Sequence, residues 1–136
     1  MKNLILLFVF IVSGNIVLAQ SAKKFTSGDV ELDQSIKSIT AYGRKNPELF
    51  QKTLVAKFSV TETQAKEYFA GYTGGDLFMI FETAKETKKD AADVFKLFNT
   101  NRNIKGWDET LKELGVKQGS EELEAIKTAM ADNGLN

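Results

Sequence analysis

Apolar residues along this chain recur three and four positions apart, and no stretch alternates apolar and polar residues for more than a few positions. That spacing belongs to helices rather than strands. A first segment runs from about Val30 to Tyr42, with Asp29 placed to cap it and Leu32, Ile36, Ile39 and Gly43 along one face. A second opens at Pro47, whose missing N–H is not needed at a first helical position, and spaces Phe50, Leu54 and Phe58 four apart. The third opens with "VTETQ". Thr61 and Gln64 supply a capping box, Val60 and Ala65 a hydrophobic staple around it, and Phe69 and Tyr72 lie on the apolar side.

"TGGD" at 73–76 reads as a break, a loop and cap before the fourth segment. That segment, Leu77 to about Lys85, is apolar over a wide arc (Leu77, Phe78, Ile80, Phe81, Ala84), which predicts the central helix. The fifth follows Asp90, a cap, and carries Ala91, Val94, Phe95, Leu97 and Phe98; "NTNRNIKG" ends it. After Gly106 the sixth, Trp107 to Leu114, sets Trp107, Leu111 and Leu114 at i, i+4 and i+7. Gly115 suits the left-handed residue that stops this helix, with Val116 packed behind it. Ser120 caps the seventh, Glu121 and Glu122 favour its positive end, and Leu123, Ile126 and Met130 form its apolar face. The expected fold is all-α, a compact bundle of six or seven short helices. Short links favour neighbouring helices packing as hairpins, so Trp107, Leu111, Leu114, Leu123 and Ile126 are expected to join the last two.

The first residues, "MKNLILLFVFIVSGNIVLAQ", change the compartment. Lys2 precedes an apolar run, and Val17 and Ala19 fit a signal-peptidase site with the cut after Ala19. The stretch from Leu4 to Ala19 is interrupted by Ser13, Gly14 and Asn15 and is shorter than the roughly 20 residues a spanning helix needs. A cleaved signal over 1–19 is therefore expected, with no stable membrane span afterwards, then a flexible leader over 20–28 and one helical domain over 29–133. The protein is expected in the periplasm or outside the cell. Cutting 19 residues from 136 leaves about 117, enough for a core without staples. The chain has no cysteine, so packing alone must hold it, and no lipid can be attached to one at the cut. The cut removes one lysine and no acid, which leaves a net charge near −1 and no broad attraction to nucleic acid or an anionic membrane.

Histidine is absent as well as cysteine. No Ser-His-Asp or Cys-His arrangement is possible, nor a zinc site of the usual nitrogen and sulfur type, nor a haem with such an axial ligand. The glycines fit neither a P-loop nor a dinucleotide fingerprint, and in "GYTGGD" Asp76 puts negative charge where a phosphate would sit. "NTNRNIKGWDET" spaces Asn99, Asn101 and Asn103 like a calcium loop. However, its glycine comes at loop position 8 rather than 6, and position 12 is Thr110 rather than a glutamate. A frayed helix end is the better reading. Most acids sit at helix starts or beside lysines, as in "KEYF", "AKETKKD" and "LKELG", and so read as solvated faces rather than as a catalytic pair. Neither a catalytic residue nor a metal or cofactor is expected.

"GWDETLKELGVKQGS" has the outline of a DNA-reading helix-turn-helix. Its second helix, however, offers Glu121, Glu122, Glu124 and Asp132 against Lys127 alone, so phosphates would be repelled. The longer stretch "GWDETLKELGVKQGSEELEAIK", with "AKETKKDAADVFKLF" before it, resembles a segment of small secreted or periplasmic all-helical bacterial proteins. In those a Gly-Trp pair, a Lys-Glu-Leu-Gly run and a Gly-Ser helix start recur. The resemblance covers about Asp76 to Lys127 and implies a class rather than a reaction. Gln118 stands where proline is common in them, and Glu124 where histidine is common.

The expected function is a non-catalytic binding or protein-interaction module, exported from the cell, with an unknown protein as its partner. The alternative is a carrier of a small apolar ligand between helices, motivated by the aromatic-rich fourth and fifth segments. A carboxylate hydrolase is third. Gly106, Trp107, Leu111, Leu114, Gly115, Ser120, Leu123 and Ile126 are expected to matter for structure. Trp107 is the test among them: buried it is the keystone of the last hairpin, exposed it is a contact surface.

Overall fold

A computed structural model describes residues 26–135, and over them the chain is all-helical. Seven helices follow one another: α1 Val30–Lys45, α2 Pro47–Phe58, α3 Glu62–Gly71, α4 Gly74–Thr87, α5 Ala91–Asn101, α6 Gly106–Glu113 and α7 Glu121–Ala131. The expected signal, its cut after Ala19 and the leader as far as residue 25 lie outside the described residues. None of the described helices is long and apolar enough to cross a membrane.

The helix ends follow local chemistry. Asp29 accepts from the Leu32 N–H, Asp90 from Ala92 and Ser120 from Leu123. Thr61 and Gln64 bond reciprocally at 3.1 and 2.9 Å, the complete capping box. Each such cap contributes about 1 kcal/mol. At the end of α6, Gly115 adopts φ 82°, the Val116 N–H reaches the Leu111 carbonyl at 2.9 Å, and the Gly115 N–H reaches that of Lys112 at 3.0 Å. That is the Schellman closure a glycine permits, and Val116 is buried behind it.

The break expected at "TGGD" is instead the start of α4. Thr73 caps it, accepting from the Asp76 N–H, and Gly74 and Gly75 are its first two residues. Glycine inside a helix costs up to about 1 kcal/mol relative to alanine, which is why the pair looks like a loop. The tertiary structure reverses that preference. A methyl group on Gly75 would overlap the Ile36 carbonyl oxygen and stand 2.6 Å from Thr40 Oγ1; one on Gly74 would stand 2.8 Å from the Phe50 ring. The glycines let α4 lie directly against α1, and the Gly75 N–H donates to Thr40 Oγ1 at 3.0 Å across that contact. From Leu77 to Ala84 every residue of α4 is buried, so it is the central helix as expected, with α1, α5 and α7 packed on it. α2 stands one side-chain layer off and reaches α4 through Phe50, Phe58 and Lys57.

The expected final hairpin does not form. α6 packs on α5, and α7 packs on α4 and α1. Trp107 is buried, but its ring stacks on Phe98 of α5 at 4.3 Å and its Nε1–H donates to Asp76 Oδ1 of α4 at 2.9 Å. Leu111, Leu123 and Ile126 are buried and Leu114 is half-buried. Periodicity tells which face of a helix is buried and not which helix covers it, and the turn at Gly115 carries the chain from one side of the bundle to the other.

Both domain edges move outward. Ser27, placed in the flexible leader, is fully buried: its N–H and Oγ bond Asp33 Oδ1 at 2.7 and 2.8 Å. The Thr26 carbonyl accepts from the Asp108 N–H at 3.0 Å, so residues 26–28 tie α1 to α6. At the other end Leu135 is buried, and its N–H donates to Asn133 Oδ1 at 2.9 Å.

Candidate functional site

The aromatic residues that suggested an apolar-ligand carrier are packed on one another. Contacts run from Phe69 through Phe50, Phe78 and Phe58 to Phe81, on through Phe95 and Tyr72 to Phe98, and end at Trp107. These ring pairs contribute about 0.5–1.5 kcal/mol each beyond burial.

Glu82 lies in the buried run of α4 at 1% exposure. Lys57 Nζ of α2 lies 3.1 Å from its Oε1 and 5.4 Å from the centre of the Phe78 ring. Glu82 Oε2 has no hydrogen-bond partner, nor has the Oγ1 of neighbouring Thr83. A buried oxygen without a partner costs about 1–3 kcal/mol. Sequence reading passed over this residue, although its signal was present: a lone carboxylate within "FMIFETA", in a segment apolar on nearly every side.

Lys57 is also one wall of a cleft of about 430 Å³ at the C-terminal ends of α2 and α4. Half-buried Phe58 and Ala91 give most of its apolar surface, and the Phe58 ring stacks at 4.8 Å on Phe81, which is buried, as is Ala84. Lys85, Lys88 and Lys89 complete the wall, which contains no acid. Lys57 is held by Glu82, whereas the other three lysines make no ion pair with any described residue. Helix C-termini draw such cations. Yet two helix ends together carry only about one negative charge, against three unpaired ammonium groups.

The backbone is unusual at the same place. Ser59 (φ 55°) and Lys88 (φ 54°) are the only non-glycine residues with positive φ among the described residues, and both line this cleft. Each closes its helix as a left-handed residue: Ser59 N–H bonds the Val55 carbonyl, and Lys89 N–H bonds that of Ala84. A side chain in this conformation costs about 1–2 kcal/mol.

The residues singled out from sequence lie elsewhere. Gly106, Trp107, Leu111, Leu114, Gly115, Ser120, Leu123 and Ile126 form scaffold, and none lines the lysine cleft. In the calcium-like stretch, Asn99 and Asn101 are inside α5; Asn99 bonds the Tyr72 hydroxyl and Asn101 donates to Glu113. Lys127, the basic residue of the acidic last helix, bridges Glu31, Asp29 and Glu124 at 2.9, 3.2 and 3.3 Å. Those hydrogen bonds, Glu31 first, hold its ammonium above the ordinary lysine range. The Leu32 N–H, and after it Lys127, holds the Asp29 carboxyl below its usual value against a smaller opposing effect of burial.

No described protein family matches the chain, and neither a curated protein nor a solved structure matches it.

Proposed function

We propose that this chain is an exported, non-catalytic interaction module that presents the lysine-rimmed cleft of α2 and α4 to a partner protein. The observation that carries the reading is the set of three unpaired lysines, Lys85, Lys88 and Lys89, around an apolar floor. An apolar centre with a charged rim is the common anatomy of a protein–protein contact. The missing histidine and cysteine support the non-catalytic part, and the signal expected over 1–19 supports export.

Two measurements test it. N-terminal sequencing of protein recovered outside the cytoplasm is expected to begin at Gln20; a chain that keeps Met1 and stays in the cytoplasm overturns export. Cross-linking in the native host is expected to join the chain to a partner, and the Lys85→Glu/Lys88→Glu/Lys89→Glu variant to lose that adduct. An adduct of unchanged yield in this variant overturns the assignment of the cleft.

A further inference from the structure

Resting on that reading, we infer that the partner enters this cleft as an acidic peptide segment anchored by one or two apolar side chains. Lys57 is pinned by Glu82, so its amine is already matched. Lys85, Lys88 and Lys89 bring three ammonium groups to one wall, with no acid in the lining to answer them. Glu86 lies between Lys85 and Lys88, and Asp90 and Asp93 follow Lys89, yet none is ion-paired to these lysines. Carboxylates of an incoming chain complete the set.

The floor selects for more than charge. Half-buried Phe58 stacks on Phe81, and because Phe81 and Ala84 are themselves buried, the apolar surface left for a partner is chiefly that of Phe58. A purely acidic tail would leave that surface wet, whereas an acidic segment with an apolar anchor covers it. The salt link to Glu82, with the Lys57 amine resting near the Phe58 and Phe78 rings, holds the wall in place before the partner arrives. A preorganised wall loses less on binding than a mobile one.

The experiment uses the chain from Gln20 onward, labelled with nitrogen-15 and titrated with three blocked synthetic hexapeptides, ELEFEE, EGEGEE and KLKFKK, and with decanoate. ELEFEE is expected to shift the amides of residues 57–59 and 81–91 and to bind at least about 10-fold more weakly when salt rises well past the screening range. EGEGEE is expected to bind at least about 10-fold more weakly than ELEFEE, and KLKFKK not at all. The triple lysine-to-glutamate variant, and separately the triple lysine-to-glutamine variant, are expected to lose the interaction while keeping the helical circular dichroism of the parent. Equal binding of EGEGEE, unchanged binding by either variant, or shifts confined to the surface around Arg44 and Arg102 would overturn the inference. So would decanoate binding at the same amides more tightly than ELEFEE, which points to a small amphiphile. If no peptide binds but the charge-reversed variant still loses its cross-linked partner, the acidic-segment inference falls and the interaction module stands. If the cross-link is indifferent to the lysines, the module reading itself falls.

Discussion

At its N-terminal end α4 is tied by side-chain hydrogen bonds to α1 and α6, whereas at its C-terminal end a buried carboxylate oxygen has no hydrogen-bond partner and three lysines make no ion pair among the described residues. The first end is closely packed against α1. Thr73 caps it, Asp76 accepts from both Thr73 Oγ1 and Trp107 Nε1, and Thr40 accepts from Gly75. Even the two glycines, which are poor helix formers, are explained by the approach of α1 and Phe50. The second end holds Glu82, Lys88 in the left-handed region and the lysine wall. Packing explains the first set of residues completely and the second set poorly. Places where a fold breaks its own local rules are where function is sought first, and the contrast lies within a single helix.

The comparison can be broken most forcefully at Trp107. Trp107→Ala is expected to destabilise the fold by roughly 3–5 kcal/mol, because it removes the largest buried side chain, its stack on Phe98 and its bond to Asp76. Urea unfolding followed by circular dichroism measures it, and a loss under about 1 kcal/mol would show that the N-terminal end is looser than described. Next comes Gly75→Ala. Helix propensity alone favours alanine by up to about 1 kcal/mol. The clash with Ile36 is expected to reverse the sign and leave a net loss of about 1–3 kcal/mol. A stabilised variant refutes the close approach of α1 and α4.

At the other end the two partners of one ion pair are expected to behave differently. Lys57→Met abandons a buried carboxylate and is expected to destabilise by about 1–2 kcal/mol, less than a fully buried pair because Lys57 is 28% exposed. Glu82→Leu leaves a lysine that solvent reaches and removes the orphan oxygen, so it is expected to be neutral or stabilising. Equal losses from both would mean that the pair is present for stability and would weaken the contrast. A smaller effect is expected from Lys88→Gly, a gain of about 1 kcal/mol as the left-handed strain is relieved.

The smallest effect lies in the half-buried pair of Lys127 and Asp29, whose other partners Glu31 and Glu124 are exposed. The folded Lys127 value is raised, so its contribution is whole below the unfolded value of 10.5 and is lost as pH rises through the folded value. The Asp29 value is lowered, so its contribution is whole above 3.8 and is lost as pH falls through the folded value. Melting temperatures are expected to decline on the alkaline side above about 10.5, and Lys127→Met to remove part of that decline. An unchanged alkaline slope in this variant would show that the network adds nothing.

Particular residues show what was legible. Thr61 with Gln64, Gly115 with Val116, and Ser120 announce helix starts and stops, and the structure uses each in that role. "TGGD" misleads because the helix propensity of glycine opposes the packing that requires it. Glu82 was visible as a charge in an apolar segment, but its partner Lys57 lies on another helix, and no periodicity connects the two. The lysine cleft was hidden in "AKETKKD", which reads as an ordinary solvated face until α2 and the start of α5 are placed beside it.

The sequence by itself determined the helical class, a count of six or seven helices with approximate limits, and the apolar face of each. Caps, glycine stops and periodicity act within a few residues, so they are settled before the chain is folded. Only the tertiary structure decided that Trp107 answers Asp76, 31 positions away, and not the last helix. It also decided that two glycines admit α1, and that Lys57 reaches Glu82 while the three other lysines of the cleft make no ion pair with a described residue. Those outcomes depend on which apolar faces cover each other best over the whole bundle, a competition among distant segments that no local pattern records.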